Sequence, residues 1–155
     1  MKKFLITLLV GLFLVVAPFA FAANESVTQG TKYYKNGYTV HTFTVLADDA
    51  DGTVTATATD ISIIGMIVMV EINPGATGPT NGAWDVNLES SDGVQILGSQ
   101  ADDLSSTVSI AVAPNPTSGN MDGNYFSNGA LTLSIDDNSV NAAVFTVRIF
   151  YYSDK

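Results

Sequence analysis

The sequence predicts an all-β protein: an antiparallel β-sandwich or jelly-roll-like domain of eight or nine strands, which follows the helix of an N-terminal signal peptide. Short segments of alternating apolar residues, separated by turn residues at regular spacing, are typical of this class. No segment beyond the leader has the apolar period of a convincing amphipathic helix. The central strand is predicted at Ile61–Ile72, which is apolar at nine of its twelve positions and ends at Asn73-Pro74-Gly75. Because both faces of this strand are apolar, we expect both to be covered.

The N-terminal residues have the three parts of a secretory signal peptide. Lys2 and Lys3 precede the uncharged apolar stretch Phe4–Ala17, and Ala20-Phe21-Ala22 supplies the small residues of a cleavage site before Ala23. The alternative is a retained membrane anchor, which would need about twenty consecutive apolar residues. We therefore predict an exported protein, periplasmic or extracellular, with no stable membrane insertion after cleavage.

The rest of the chain has the length of one domain. We expect a signal peptide over residues 1–22, a flexible polar lead-in over 23–30, and a single β-sandwich domain over 31–155. The sequence contains no cysteine, so neither a disulfide nor lipid attachment through cysteine is available. The domain must therefore be stabilised by its own hydrophobic core.

The predicted mature chain is strongly acidic. Loss of the leader leaves Lys32, Lys35, Arg148 and Lys155 to oppose fifteen Asp and Glu residues. Such a surface repels phosphate backbones and anionic lipids, so we expect neither nucleic acid nor a membrane surface as a partner. Self-association or attachment to a protein assembly is compatible with this charge.

The clearest local signal is a β-hairpin in which Thr31–Lys35 and Tyr38–Ala47 flank Asn36-Gly37, a dipeptide typical of a type I′ turn. Thr53–Thr59 alternates threonine with small apolar residues and predicts a strand with Val54, Ala56 and Ala58 facing inward. Thr117–Gly129 is rich in Gly and Asn and is predicted to be the longest loop. The other predicted strands are Trp84–Glu89, Val94–Leu97, Thr107–Ala113, Leu131–Ile135 and Val144–Tyr152.

Catalytic signals are weak. His41 is the single histidine and lies within a predicted strand, and no nucleophile-elbow sequence accompanies it. One histidine without cysteine also disfavours a zinc site. Glu71 and Glu89 resemble a glycosidase pair only by residue type, since the sequence does not set their separation. We predict that the protein is not an enzyme.

Acidic turns suggest calcium as an alternative ligand. Asp48, Asp49 and Asp51 crowd one turn, and Asp136 and Asp137 crowd another. Clustered carboxylates suit hard cations, but alanine stands at both ends of the calcium-loop pattern that the first cluster approaches. Since Asp is also a common turn former, we expect no cofactor and keep calcium as the alternative.

Two sets of apolar residues are candidate binding surfaces. In the last strand, Val144, Phe150 and Tyr152 lie on the face opposite the predicted core residues, and we expect them to form an interaction surface. The alternative is a carbohydrate-stacking platform that contains Trp84, Tyr33 and Tyr34.

The chain also carries a longer motif around its predicted central strand. It reads Gly65-x-x-Val68-x-Val70-Glu71-x-x-Pro74-Gly75-x-x-x-Pro79-Thr80, leads into Trp84-Asp85, and is followed at the end of the chain by Ile149-Phe150-Tyr151-Tyr152. This pattern resembles a family of small, largely uncharacterised all-β proteins of tailed phages and prophages that are found among virion structural genes. The resemblance covers roughly Tyr33 to Tyr152 and implies a structural role, with no activity or site residues to transfer.

A signal peptide departs from that family, because a virion part assembled in the cytoplasm does not need one. Our leading hypothesis is therefore an exported, non-enzymatic structural or interaction module. We expect it to self-associate or to decorate a larger assembly, virion-like or on a cell surface. The alternatives are a secreted carbohydrate-binding module and a calcium-stabilised surface domain.

Overall fold

The computed structural model describes residues 24–116 and 123–153, and the predicted signal peptide lies outside these ranges. The described chain is predominantly β, as the sequence predicts, and its nine strands form two antiparallel sheets. The strands are β1 Ser26–Tyr33, β2 Tyr38–Leu46, β3 Thr57–Ala58, β4 Ile63–Pro74, β5 Asp85–Ser90, β6 Ile110–Val112, β7 Tyr125–Gly129, β8 Leu131–Asp136 and β9 Val144–Tyr152. Helical structure in these ranges is confined to short 3₁₀ turns at Lys35–Gly37 and Gly98–Ala101. None of it is long and apolar enough to cross a bilayer.

The larger sheet has the order β1-β2-β9-β4, and β4 then pairs with two short strands on its other side. The first half of β4 pairs with β7, and Val70–Ile72 pairs with β6. The smaller sheet has the order β3-β8-β5. The prediction of a central strand at Ile61–Ile72 is confirmed, because β4 has hydrogen-bonded neighbours on both sides.

The inner faces of both sheets contribute to one hydrophobic core. Phe145, Val147 and Ile149 extend into it from β9, and Val86 and Leu88 extend into it from β5. Each such fully buried side chain contributes roughly 1.5–3 kcal/mol to the free energy of unfolding. The period-two alternation of these strands therefore decides which face of each sheet is inward.

The N-terminal hairpin forms at the predicted Asn36-Gly37, whose φ angles are 68° and 75°. The connection is not the predicted two-residue turn, because Tyr33 pairs with Thr39 and Lys35–Gly37 forms a 3₁₀ turn. The predicted lead-in over residues 23–30 is wrong, because β1 already pairs with β2 from Ser26, which lies opposite Leu46. Polar residues dominate this segment, yet Val27, Gln29 and Thr31 share the inward side of β1, and Val27 packs against the core. Pairing with a well-defined strand thus orders a segment that composition alone assigns to a loop.

The predicted strand Thr53–Thr59 is mostly wrong, since only Thr57–Ala58 is a strand. Ala56 and Ala58 are exposed while Thr59 is buried. The Thr59 hydroxyl donates to the carbonyl of Ile61 at 2.7 Å and accepts from the amide of Leu131 at 3.1 Å. Threonine is tolerated on the inner side here because its hydroxyl is satisfied by the backbone.

Two further predicted elements differ from the structure. Val94–Leu97 does not form a full strand: it pairs with β5 only through an isolated bridge between Glu89 and Gln95, and the Gln95 side chain accepts from the amides of Leu88 at 3.0 Å and Leu97 at 3.3 Å. The predicted loop Thr117–Gly129 contains β7, whose pairing with β4 overrides its Gly- and Asn-rich composition. Residues 117–122 of that predicted loop are outside the described ranges.

Candidate interaction surface

The outer face of the larger sheet carries large apolar side chains on three adjacent strands. Met66 of β4 pairs with Phe126 of β7 on one side and with Tyr152 of β9 on the other. Their exposed fractions are 38%, 59% and 52%, and Ile64, two residues before Met66, is 53% exposed. Contiguous exposed apolar side chains of this size mark contact surfaces in soluble proteins, whereas single ones do not. We call Ile64, Met66, Phe126, Phe150 and Tyr152, together with Tyr38, the aromatic patch.

Tyr38 connects the rings of this patch. Its ring centroid lies 5.4 Å from that of Tyr152, 6.1 Å from that of Phe150 and 5.7 Å from that of Tyr34. The pKa of the Tyr38 phenol is raised above its ordinary value, first by burial and then by the neighbouring Tyr152 and Tyr34. The ring of Tyr38 thus joins β2 to the aromatic residues of β9.

The strand that supplies Ile64 and Met66 is apolar on both faces. Ile63, Ile67, Val70 and Ile72 of β4 are buried in the core, while Ile64 and Met66 are exposed on the opposite side. The expectation that both faces of this run are covered is therefore wrong. In β4, one apolar face builds the core and the other belongs to the aromatic patch.

Charged residues are nearly absent from the larger sheet. Glu71 is the single acidic residue in its strands, and its Oε1 accepts from Arg148 Nη1 at 3.1 Å. The Lys32 ammonium of β1 lies 4.9 Å from the centre of the Tyr34 ring. The acidic residues of the described chain are otherwise in the smaller sheet and in the loops and chain ends outside the strands. The outer face thus combines apolar surface with a paired carboxylate in a chain that is acidic elsewhere.

The predicted interaction residues are only partly brought together. Phe150 and Tyr152 belong to the aromatic patch, with Tyr152 opposite Tyr38. Val144 is on the same face but at the other end of β9, opposite Leu46. Its amide donates to the carbonyl of Thr77 at 2.7 Å, and its carbonyl accepts from Gly75 at 2.6 Å. Ile64, Met66 and Phe126 were not predicted, although Ile64 and Met66 have the two-residue spacing of a shared strand face.

Trp84 does not belong to an exposed platform, which corrects the predicted carbohydrate site. Its side chain is fully buried, its ring lies 5.0 Å from that of Phe145, and its Nε1 donates to the carbonyl of Ser105 at 3.3 Å. Tyr33 and Tyr34 are exposed and line an open groove of about 450 Å³ with Gly37, Thr39 and Ser153. The three predicted aromatic residues therefore do not form one stacking surface.

The acidic turns use their carboxylates for local backbone structure. Asp48 Oδ1 accepts from the amide of Ala50 at 2.7 Å, and Asp51 Oδ1 accepts from the amide and hydroxyl of Thr53 at 3.0 and 2.7 Å. These two hydrogen bonds lower the pKa of Asp51. Asp49 accepts from Asn24, Asp136 accepts from Asn87, and Asp137 has a φ of 57°. Within the described ranges, no group of three or more acidic or histidine side chains is placed to hold a metal ion.

His41 is fully buried in a hydrogen-bond network that connects the two sheets. Its Nε2 lies 3.0 Å from Gln29 Oε1, and Gln29 Nε2 donates to the carbonyl of Ala58 in β3 at 2.8 Å. Because Gln29 Oε1 is an acceptor, Nε2 carries the imidazole proton, and Nδ1 accepts from the Thr31 hydroxyl at 2.8 Å. Burial lowers the pKa of His41, and the nearby Asp60 partly opposes this effect. This arrangement gives His41 a structural task.

The chain matches no known protein-family model, and no curated protein or solved structure is significantly similar to it.

Proposed function

We propose that this protein is an exported, non-enzymatic structural or interaction module that self-associates or decorates a larger assembly through the aromatic patch. In this proposal the two sheets form a β-sandwich of jelly-roll type, with the smaller sheet covering the inner face of the larger one. The observation that carries the proposal is the exposed, contiguous patch of Ile64, Met66, Phe126 and Tyr152 on a sheet with a single acidic residue. Depletion of charge and enrichment of aromatic residues and Met are typical of the centres of protein interfaces.

Two features of the sequence support the proposed export and the proposed role in an assembly. The basic, apolar and small-residue parts of residues 1–22 favour export with cleavage before Ala23, which intact-mass measurement of the exported protein would test. The resemblance to phage structural-gene products favours a role in an assembly over a role in catalysis.

The test replaces the two most exposed aromatic residues of the patch, as Phe126→Ser together with Tyr152→Ser. Truncating an aromatic hot spot costs about 2 kcal/mol or more, so we expect assembly to weaken at least about thirtyfold. Light scattering with negative-stain microscopy on purified protein measures the effect. The matched control is Val108→Ser, because Val108 is 59% exposed but belongs to neither sheet. A folded double variant that assembles like the wild type would remove the patch from the proposal.

A further inference from the structure

We propose that the partner of the aromatic patch is a second copy of the same chain, packed face to face across a two-fold axis. This inference rests on the proposed function and specifies its partner and geometry. In a two-fold contact each copy presents the same surface, so the surface must be complementary to itself. The larger sheet provides such a surface, because the aromatic patch covers one end of its outer face and the one acidic residue of its strands, Glu71, is paired with Arg148.

The distribution of charge disfavours a head-to-tail contact between two copies. The smaller sheet has Asp85, Glu89 and Asp136 in its strands, and the described loops add Asp48, Asp102 and further carboxylates. At Asp102 the pKa is raised by burial and by the neighbouring Asp85 and Asp103, so the carboxylates already repel one another within one copy. A head-to-tail contact would desolvate carboxylates against an apolar face with few cations to balance them. Packing one aromatic patch against another avoids this cost.

The whole outer face, of which the aromatic patch is one end, is large enough for a dimer contact. The face is five strands wide and β9 is nine residues long. With a strand spacing of about 4.8 Å and a rise of about 3.4 Å per residue, the face covers roughly 700 Å². A standard protein interface buries about 800 Å² on each partner. Two sheets packed in this way would lie about 10 Å apart, with their strands at about 30°.

The ion pair in the middle of this face adds specificity. Arg148 is the fifth of nine residues in β9, and it lies between Thr42 and Glu71 in the register of the sheet. The side chains of Arg148 and Glu71 are 42% and 29% exposed, so both can be reached by a second copy. Across a two-fold axis near this point, Arg148 of each copy can bind Glu71 of the other.

Single-cysteine crosslinking tests this geometry, because the natural chain contains no cysteine. Thr42→Cys and Met69→Cys place a thiol on the outer face, and Ser134→Cys places one on the polar face of β8 as a control. We expect two-copy particles in sedimentation and a disulfide-linked dimer from at least one outer-face variant. Ser134→Cys should crosslink at least about tenfold less. Equal crosslinking from Ser134→Cys, or none from either outer-face variant, overturns the proposal.

A charge swap provides an independent measurement. Arg148→Glu places uncompensated carboxylates on the face, so we expect the dimer dissociation constant to rise at least about tenfold. The double variant Glu71→Arg with Arg148→Glu restores the pair in reverse and should restore the dimer. A failure of the double variant to recover, at unchanged melting temperature, counts against the two-fold contact.

The outcomes of these experiments distinguish failure of the two-fold dimer from failure of the proposed function. Rings, fibres or a monomer that attaches to another assembly overturn the two-fold dimer. If Phe126→Ser with Tyr152→Ser still disrupts those assemblies, the patch remains the interaction surface. If that double variant disrupts nothing, the proposed function fails as well.

Discussion

The two sheets have similar inner faces but very different outer faces. In the smaller sheet, Asn87 and Glu89 of β5 and Thr132 and Ser134 of β8 alternate with buried aliphatic residues and face outward. In the larger sheet, outward positions at one end of β4, β7 and β9 carry Ile64, Met66, Phe126, Phe150 and Tyr152, whereas farther along β9 they carry Thr146 and Arg148. Both sheets bury an apolar inner face, so the need for a hydrophobic core does not explain the difference between their outer faces.

The outer sides of β5 and β4 differ in polarity. A half-buried antiparallel strand normally has polar residues on its outer side, as β5 does. The apolar outer side of β4 lacks this pattern, and exposed apolar strands carry a risk of aggregation. The partner proposed above would cover this apolar surface and remove that risk.

The largest expected effect comes from Gly65→Ala, which would separate the strands that carry the aromatic patch. A Cβ at this position would lie 1.9 Å from the carbonyl oxygen of Tyr152, and Gly65 has a φ of 151°. Pairing of β4 with β9 must therefore shift, and we expect a loss of about 3 kcal/mol or more in unfolding free energy. Chemical denaturation measures the loss.

Gly30→Ala is the matched control, because Gly30 is also in a strand of the larger sheet and a Cβ there has no atom within 4 Å. We expect this variant to unfold within about 1 kcal/mol of the wild type. Equal losses of unfolding free energy in the two variants would show that the close approach to Tyr152 is not the reason why residue 65 must be glycine.

An intermediate effect is expected from acid, through the His41 network that connects the two sheets. Because its pKa is lowered in the folded protein, this histidine contributes full stability above about pH 6.5, and the contribution is lost as the pH falls below that value. From pH 7 to pH 5 the wild type should lose more unfolding free energy than His41→Gln. The difference in slope is at most about 1.4 kcal/mol per pH unit. Parallel pH profiles of the two proteins would exclude His41 as the titrating group.

The smallest effect is expected at Thr146, a polar residue of the outer face. Its hydroxyl is buried and has no hydrogen-bond partner among the described residues. Since valine has nearly the same shape, Thr146→Val should raise the unfolding free energy by up to about 1 kcal/mol. Thr44→Val, at the exposed neighbouring position on β2, is the control and should change stability less. A destabilised Thr146→Val variant would mean that the hydroxyl is satisfied in solution.

Strands with clear alternation and definite turns were predictable from the sequence. The bounds of β9 agree with the predicted Val144–Tyr152, and β2 differs from its prediction by one residue. The direction of each side chain in β9 was also predictable, so Phe150 and Tyr152 were correctly placed on the outer side. Local sequence is sufficient here because successive side chains of a strand point to opposite faces. Once the apolar set is assigned to the core, the face of every other residue is fixed.

Features that depend on distant parts of the chain were not predictable. Phe126 is in a Gly- and Asn-rich segment that becomes a strand only through its pairing with β4. Thr59 can be buried because the amide of Leu131, 72 residues later in the chain, donates to its hydroxyl. Trp84 is buried by contacts with Phe145 and Ser105, and neither is close to it in sequence. In each case the tertiary partner decides exposure.

The position of β9 has a consequence for the order in which the chain folds. This strand follows every other described strand in the sequence, yet it lies between β2 and β4 at the middle of the larger sheet. During synthesis, β2 and β4 therefore emerge long before the strand that joins them. Pairings between such distant segments form slowly because a long loop must close first. Until Val144–Tyr152 has emerged, β2 and β4 have no strand between them, so the larger sheet cannot be completed.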